Sequence, residues 1–292
     1  DLPARYVCLF DDSAGSRSAA PRENRRLWVM AYVQRNRLDR FRRHAIKKLR
    51  CTVKGLGPEK LLGRVTAPPV LINSIPKSGT HLIEGILEAA PPYRNAGQRT
   101  IVSASPGCDA RCTRRLRRLR RGAIYNAHLP YWLEYSEALT SSNAKCLFVL
   151  RDPKDVAVSR MRYVTEIDLT HPATVPMQNL GNDSERVRAA IIGIPGAMPP
   201  LAAVYRSFLA WAERSGVLMI RFEDLVCSSD EEIRSEVTRI LAFCGCMPSA
   251  SVLETATRRI GGKSSTFRTG KSGGWVYEFD GETREVFSHE FH

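Results

Sequence analysis

The strongest hydrophobic signals along the chain are short apolar runs, each followed by apolar residues at helical spacing. Val70-Leu71-Ile72 reads as a buried strand; after a turn on Pro76 and Gly79, residues Leu82, Ile83, Ile86 and Leu87 mark one face of a helix. Residues 123–127 predict a second strand and 131–139 a short helix. Residues 146–150 are apolar throughout, as in a strand covered on both faces, and Asp152 and Pro153 then supply an N-cap and a first helical position. A helix over 201–214, a strand over 217–222 and helices over 231–243 and 249–260 complete the pattern. Between residues 164 and 200 Pro, Gly, Asn and Thr break any period, which predicts a long loop.

Strands alternating with helices predict an α/β domain, a mainly parallel sheet flanked by helices, over residues 67–292. Residues 1–66 read as a basic N-terminal extension. It holds a helix over 25–49, with Leu27, Val33, Leu38 and Phe41 among many Arg and Lys, and a Gly/Pro-rich linker. The chain begins at Asp1, as a fragment or processed form does. In a parallel sheet ligands bind outside the carboxyl ends of the strands. The turn at Lys77, the histidine His128 and the arginine Arg151 each follow a predicted strand, so all three belong at one edge.

The chemistry at that edge is anion binding. In Pro76-Lys77-Ser78-Gly79-Thr80 a tight turn feeds a helix N-terminus, where unpaired amides and the helix dipole attract an anion. Lys77, Ser78 and Thr80 add a cation and two hydroxyls, and the His81 amide follows. The order differs from GxxxxGK[ST], because the lysine precedes the glycine. Arg151, after another strand, brings a guanidinium fork to the same edge, a group that suits a second anion. His128 has the ordinary pKa of a general base.

Composition narrows the partners. A net charge of +14 with a pI near 9.7 favours anionic ligands. Arg114, Arg115, Arg117, Arg118, Arg120 and Arg121 cluster in one short segment, with Leu116 and Leu119 spaced to share its apolar face. That segment reads either as a solvated face or as a recruiter of an acidic or membrane-borne acceptor. The 8 cysteines form no disulfide framework and complete no zinc set. With no apolar segment of signal or membrane-spanning length, the expected location is a reducing cytoplasm.

Four segments in order resemble the PAPS-dependent sulfotransferases (PAPS is 3′-phosphoadenosine 5′-phosphosulfate), closest to the cytosolic type. Pro76-Lys77-Ser78-Gly79-Thr80 is similar to the family's 5′-phosphosulfate loop and His128-Leu129-Pro130 to its catalytic-base segment. The run from Arg151 through Asp155 to Ser159 resembles the 3′-phosphate segment, and Phe267-Arg268-x-Gly270 on to Trp275 the loop that closes over that phosphate. The resemblance implies a single-domain, P-loop-like sulfotransferase fold, with PAPS as co-substrate, PAP as product and no metal. It further implies His128 as base, Lys77 at the departing 5′-phosphate, and Tyr205 near the adenine. The acceptor is a hydroxyl or amine; nucleic acid is not an expected partner.

The departures are specific. Thr80-His81-Leu82 stands where cytosolic members usually carry Thr-Thr-Trp, so adenine is expected to be held without a stacking tryptophan. Asn126 replaces a lysine, Thr269 a lysine and Gly274 an aspartate, and the cytosolic dimerisation pattern is not found, so the oligomeric state stays open. Two other functions compete: a P-loop-type nucleotide kinase, which lacks its Walker order here, and a polyanion- or membrane-binding protein on a degenerate nucleotide fold.

Overall fold

The structure, a computed structural model, describes residues 66–103, 107–260 and 272–292. The predicted helix over 25–49, Arg268 and Gly270 lie outside the described residues. Among the described residues six strands form one sheet: β1 (Val70–Ser74), β2 (Arg94–Asn95), β3 (Ile101–Val102), β4 (Ala123–His128), β5 (Lys145–Leu150) and β6 (Val217–Arg221). Their order is β2-β4-β1-β5-β6, with β3 also paired to β4, and every pairing is parallel. Helices make the crossovers, among them α1 (Thr80–Ala89) after β1, α2 (Ala110–Leu116) before β4, α3 (Leu133–Ser141) after β4 and α4 (Pro153–Arg162) after β5.

The uninterrupted apolar runs have a direct cause. β1 is the central strand, and Val70, Leu71 and Ile72 are all fully buried because helices cover both faces of the sheet. Alternate residues serve opposite layers. Leu71, Tyr125 and Phe148 pack with Tyr135, Met161 and Trp211, whereas Ile72, Ile124 and Leu147 pack with Ile83, Ile86 and Ile240. In the β1 register Asn73 lies beside Ala127 and Phe148, so the carboxyl ends of β4, β1 and β5 stand level.

Residues 164–200 are not the loop that their composition predicted. A π-helical turn (Tyr163–Ile167) prolongs α4, and α5 (Thr174–Gln178) and α6 (Asp183–Ile192) follow. The α6 period was hidden because a charged residue sits on its buried face. Arg188 is buried there, paired to Asp280 at 3.2 Å and Glu282 at 3.4 Å. Asn182 opens that helix by accepting the Glu185 amide at 2.9 Å.

Further along, α7 (Leu201–Leu209) stops short of the predicted 214, and Phe222 begins α8 (Phe222–Val226) instead of ending a strand. The predicted C-terminal pair of helices appears as α9 (Asp230–Phe243) and α10 (Ala250–Ile260). The last helix, α11 (Gly281–Phe291), was not anticipated. Asp280 caps it by accepting the Thr283 amide at 2.8 Å, and Phe287 and Phe291 pack against the core.

Candidate active site

The turn between β1 and α1 is shaped for a guest. Lys77 takes a left-handed φ of 77° and Gly79 one of 98°, folding the backbone tightly before α1. Gly79 is required: a Cβ there would lie 2.5 Å from Cδ2 of Phe222. Gly79 gives α1 no side-chain cap and the first turn carries no acidic residue, so the positive end of the helix is left uncompensated. The Ser78 hydroxyl is fully buried without a hydrogen-bond partner. An orphaned hydroxyl beside uncapped amides fits an oxyanion.

Lys77 holds its ammonium 4.0 Å from the centre of the Tyr163 ring. Burial, and secondarily the Arg151 charge, bring its pKa down to about 8. Arg151 follows β5 directly. Its Nη1 donates to the Lys77 carbonyl at 3.3 Å, its Nη2 lies 3.9 Å from Asp155, and the guanidinium stacks 4.5 Å over the Phe222 ring. The two predicted anion sites therefore share a wall. Phe222, the first residue of α8 just after β6, touches both Arg151 and the space beside Gly79.

His128 closes β4 beside Val102 of β3. Its Nδ1 lies 2.8 Å from the Ser74 carbonyl and 3.2 Å from Ser74 Oγ. A carbonyl only accepts, so Nδ1 carries the hydrogen and Nε2 keeps its lone pair. Burial lowers the His128 pKa; the Ser74 carbonyl opposes the shift, and His81 and Lys77 add to it. Ser74 Oγ in turn lies 2.6 Å from Thr80 Oγ1. This short chain ties the histidine to the turn between β1 and α1.

The segment after His128 is clamped from three sides. The buried Asn73 side chain accepts the Leu129 amide at 2.9 Å and donates to the Leu129 carbonyl at 3.0 Å. The Trp211 indole donates to the same carbonyl at 2.9 Å. Trp211 is thus a fully buried packing and positioning residue. Tyr205 donates its hydroxyl to the Arg151 carbonyl at 2.6 Å and packs edge-on to Phe291, with burial pushing its pKa upward. It steadies the end of β5. Ser159 lies half-buried on α4, on the same helix as Asp155.

Four residues of consequence were missed from sequence. Asp155 is buried, and its carboxylate accepts Ser272 Oγ at 2.7 Å, the Gly273 amide at 2.8 Å and the Trp275 amide at 3.2 Å. It moors the C-terminal segment beside Arg151. The detectable signal was an acid four residues after Arg151, one helical turn along. Asn73 was visible as a polar residue ending an apolar strand, and Phe222 as the residue just after β6, at the edge already marked by the other strands. Glu84, buried on α1, accepts Asn126 Nδ2 at 2.8 Å and meets Asn95 and His81 Nδ1, the latter at 3.1 Å. Leu82 is buried in the core, consistent with its being no adenine platform.

A parallel sheet with an uncapped helix N-terminus, a lysine, an arginine and a buried histidine gathered at its carboxyl edge has the architecture of an α/β domain for an anionic ligand. The Sulfotransferase domain family model matches residues 67–261, two-thirds of the chain, and the chain belongs to that family. Mouse sulfotransferase SULT7A1, crystallised with PAP, superposes with a TM-score of 0.55 at 18% identity, covering 82% of this chain and 89% of that one. Retinol dehydratase, crystallised with androsterone and PAP, gives a TM-score of 0.51 at 18% identity over 80% of this chain and 86% of its own. These likenesses show the sulfotransferase fold. No curated protein sequence matches the chain. Among the described residues no His, Cys, Asp and Glu cluster has the form of a metal site.

Proposed function

We propose that the enzyme transfers the sulfuryl group of PAPS to a hydroxyl or amine acceptor. The orphaned, fully buried Ser78 hydroxyl, set beside an uncapped helix N-terminus and Lys77, carries this reading. PAPS supplies the sulfuryl group, and both compared structures hold its product, PAP. Ser78, Gly79, Thr80 and the His81 amide would hold the 5′-phosphate, with Lys77 compensating the charge that develops on the departing oxygen. Arg151 and Ser159, joined by Arg268 and Gly270, would hold the 3′-phosphate. Tyr205 keeps Arg151 in place.

The proton balance falls to His128. As the acceptor oxygen bonds to sulfur and the bond from sulfur to the 5′-phosphate oxygen breaks, Nε2 takes the acceptor proton. The leaving electron pair stays on the phosphate. Burial keeps His128 neutral at physiological pH, which is the form a base needs. With Nδ1–H on Ser74, the hydroxyl chain runs His128 to Ser74 to Thr80, leaving the Thr80 hydrogen for the phosphate.

The test pairs PAP calorimetry with labelled-PAPS transfer to a panel of phenols, alcohols, saccharides and lipids. His128→Ala should keep PAP affinity and lose transfer by about 10²–10⁴-fold. An active variant removes His128 from the base role. ATP turnover without PAPS turnover would reassign the enzyme to phosphoryl transfer.

A further inference from the structure

Away from the sheet edge, the arginine segment forms a built concavity. Arg111, Arg114, Arg115 and Arg118 recur at helical spacing along α2 and the turn after it. Cys112 and Leu116, on the opposite side, are buried in the core. With Gln98 and Tyr125 the four arginines line a pocket of about 230 Å³. Arg115 is fixed in place: its Nε and Nη2 donate to Gln98 Oε1 at 3.3 and 3.0 Å, and Nη2 also donates to the Arg99 carbonyl at 2.6 Å. Arg111, Arg114 and Arg118 are exposed, and their guanidinium groups pair with no carboxylate among the described residues, although the Arg111 backbone amide donates to the capping Asp109 carboxylate at 2.8 Å.

Four guanidinium groups converging without a carboxylate repel one another and call for an anion. We propose that this pocket is an exosite for the sulfate or carboxylate groups of an acidic saccharide, through which a charged acceptor is held for transfer; the link to transfer rests on the sulfotransferase reading. Guanidinium forks match the paired oxygens of such groups, and the pocket is lined by polar side chains. A membrane surface would need exposed apolar side chains at the rim, and none lines this pocket. Single-stranded nucleic acid would need open aromatic platforms. The pocket's one ring, Tyr125, is buried with its hydroxyl engaged by the Arg120 amide at 3.0 Å.

The test uses the full chain and calorimetry at fixed salt, with sulfated maltotetraose, unsulfated maltotetraose, a glutamate peptide of equal charge and anionic phosphatidylserine vesicles as probes. Sulfated maltotetraose should bind, unsulfated maltotetraose should not, and Arg114→Ser/Arg118→Ser should weaken the sulfated probe by at least about tenfold. Arg114→Lys/Arg118→Lys should recover only part of that loss. PAP affinity should stay the same in every variant, which also reports an intact fold. Equal binding by the serine variant, full recovery by the lysine variant, or equal affinity for the glutamate peptide or vesicles would overturn the exosite. Failure of the wild-type chain to bind PAP would instead refute the sulfotransferase reading, and the saccharide titration would remain readable.

Discussion

Lys77 gives the sharpest prediction, because its titration lies within reach of an ordinary binding assay. Its pKa of about 8 arises chiefly from burial, with Arg151 adding repulsion. Roughly nine in ten molecules then carry the charge at pH 7 and about one in ten at pH 9. The second ionisation of a phosphate monoester lies near pH 6, so the phosphates of PAP do not titrate over that interval. If the ammonium is needed to hold the 5′-phosphate, PAP affinity should fall about tenfold from pH 7 to pH 9, or about 1.4 kcal/mol. Calorimetry at pH 8 in buffers of different ionisation enthalpy should show uptake of about half a proton per PAP bound.

Lys77→Arg, which stays charged, should flatten the profile. The same burial makes the lysine a stability liability. A lysine whose folded pKa lies below its unfolded one costs free energy in full below about pH 8, and the cost fades as pH rises toward 10.5. Lys77→Met should therefore raise the melting temperature at pH 7, recovering on the order of 3 kcal/mol at most, while PAP binding is lost. A wild-type affinity that is flat from pH 7 to 9, with no proton uptake, would refute the role given to this lysine.

The remaining predictions concern the walls of the site. Asp155→Ala strands two backbone amides of the C-terminal segment and should lower stability by about 2–4 kcal/mol and weaken PAP; Ser272→Ala, which removes one hydroxyl shared between Asp155 and, at 3.5 Å, Glu223, should cost about 1 kcal/mol. Matched chemical denaturation would expose any failure of that ordering. Gly79→Ala should cost about 1–3 kcal/mol, and Phe222→Leu should not restore it, because the left-handed φ remains after the ring contact is relieved. Rescue by the double variant would show that the ring contact alone was at fault. Arg151→Ala should weaken PAP far more than adenosine 5′-monophosphate, since the 3′-phosphate loses its guanidinium. Equal losses would count against the second anion hole.

The parts of the molecule that could be read from the sequence are those where side-chain type follows backbone position. Fully buried central strands must be apolar throughout, so β1 and β5 were visible, and with them the ends that carry Lys77 and Arg151. The helices of residues 164–200 were not, because Arg188 stands on a core-facing position and pairs with acids some 90 residues away. A period detector reads that arginine as exposed. Asn73 and Asp155 escaped for a related reason. Apart from faint marks, a polar residue at a strand end and an acid one turn after Arg151, their main partners are backbone amides and carbonyls, which residue type does not announce. Tyr205, expected from the resemblance near the adenine, bonds its hydroxyl to the Arg151 carbonyl, a backbone partner that residue type does not announce.

Asn126 links the sequence departure to the titration of Lys77. The cytosolic members that the chain resembles carry a lysine at this position, two residues before the histidine. Here the Asn126 amide donates to Glu84, a buried carboxylate also met by Asn95 and His81. A lysine at 126 would bring a formal charge to that carboxylate; asparagine brings only a dipole, and in the proposed mechanism the cationic role falls to Lys77 and Arg151. These two cations sit close enough for Arg151 to depress the Lys77 pKa while its Nη1 holds the Lys77 carbonyl. An arriving phosphate dianion would relieve that repulsion and return the proton to Lys77. Repulsion in the empty site and attraction in the filled one are two readings of the same pair of charges, and for that reason proton uptake reports donor binding.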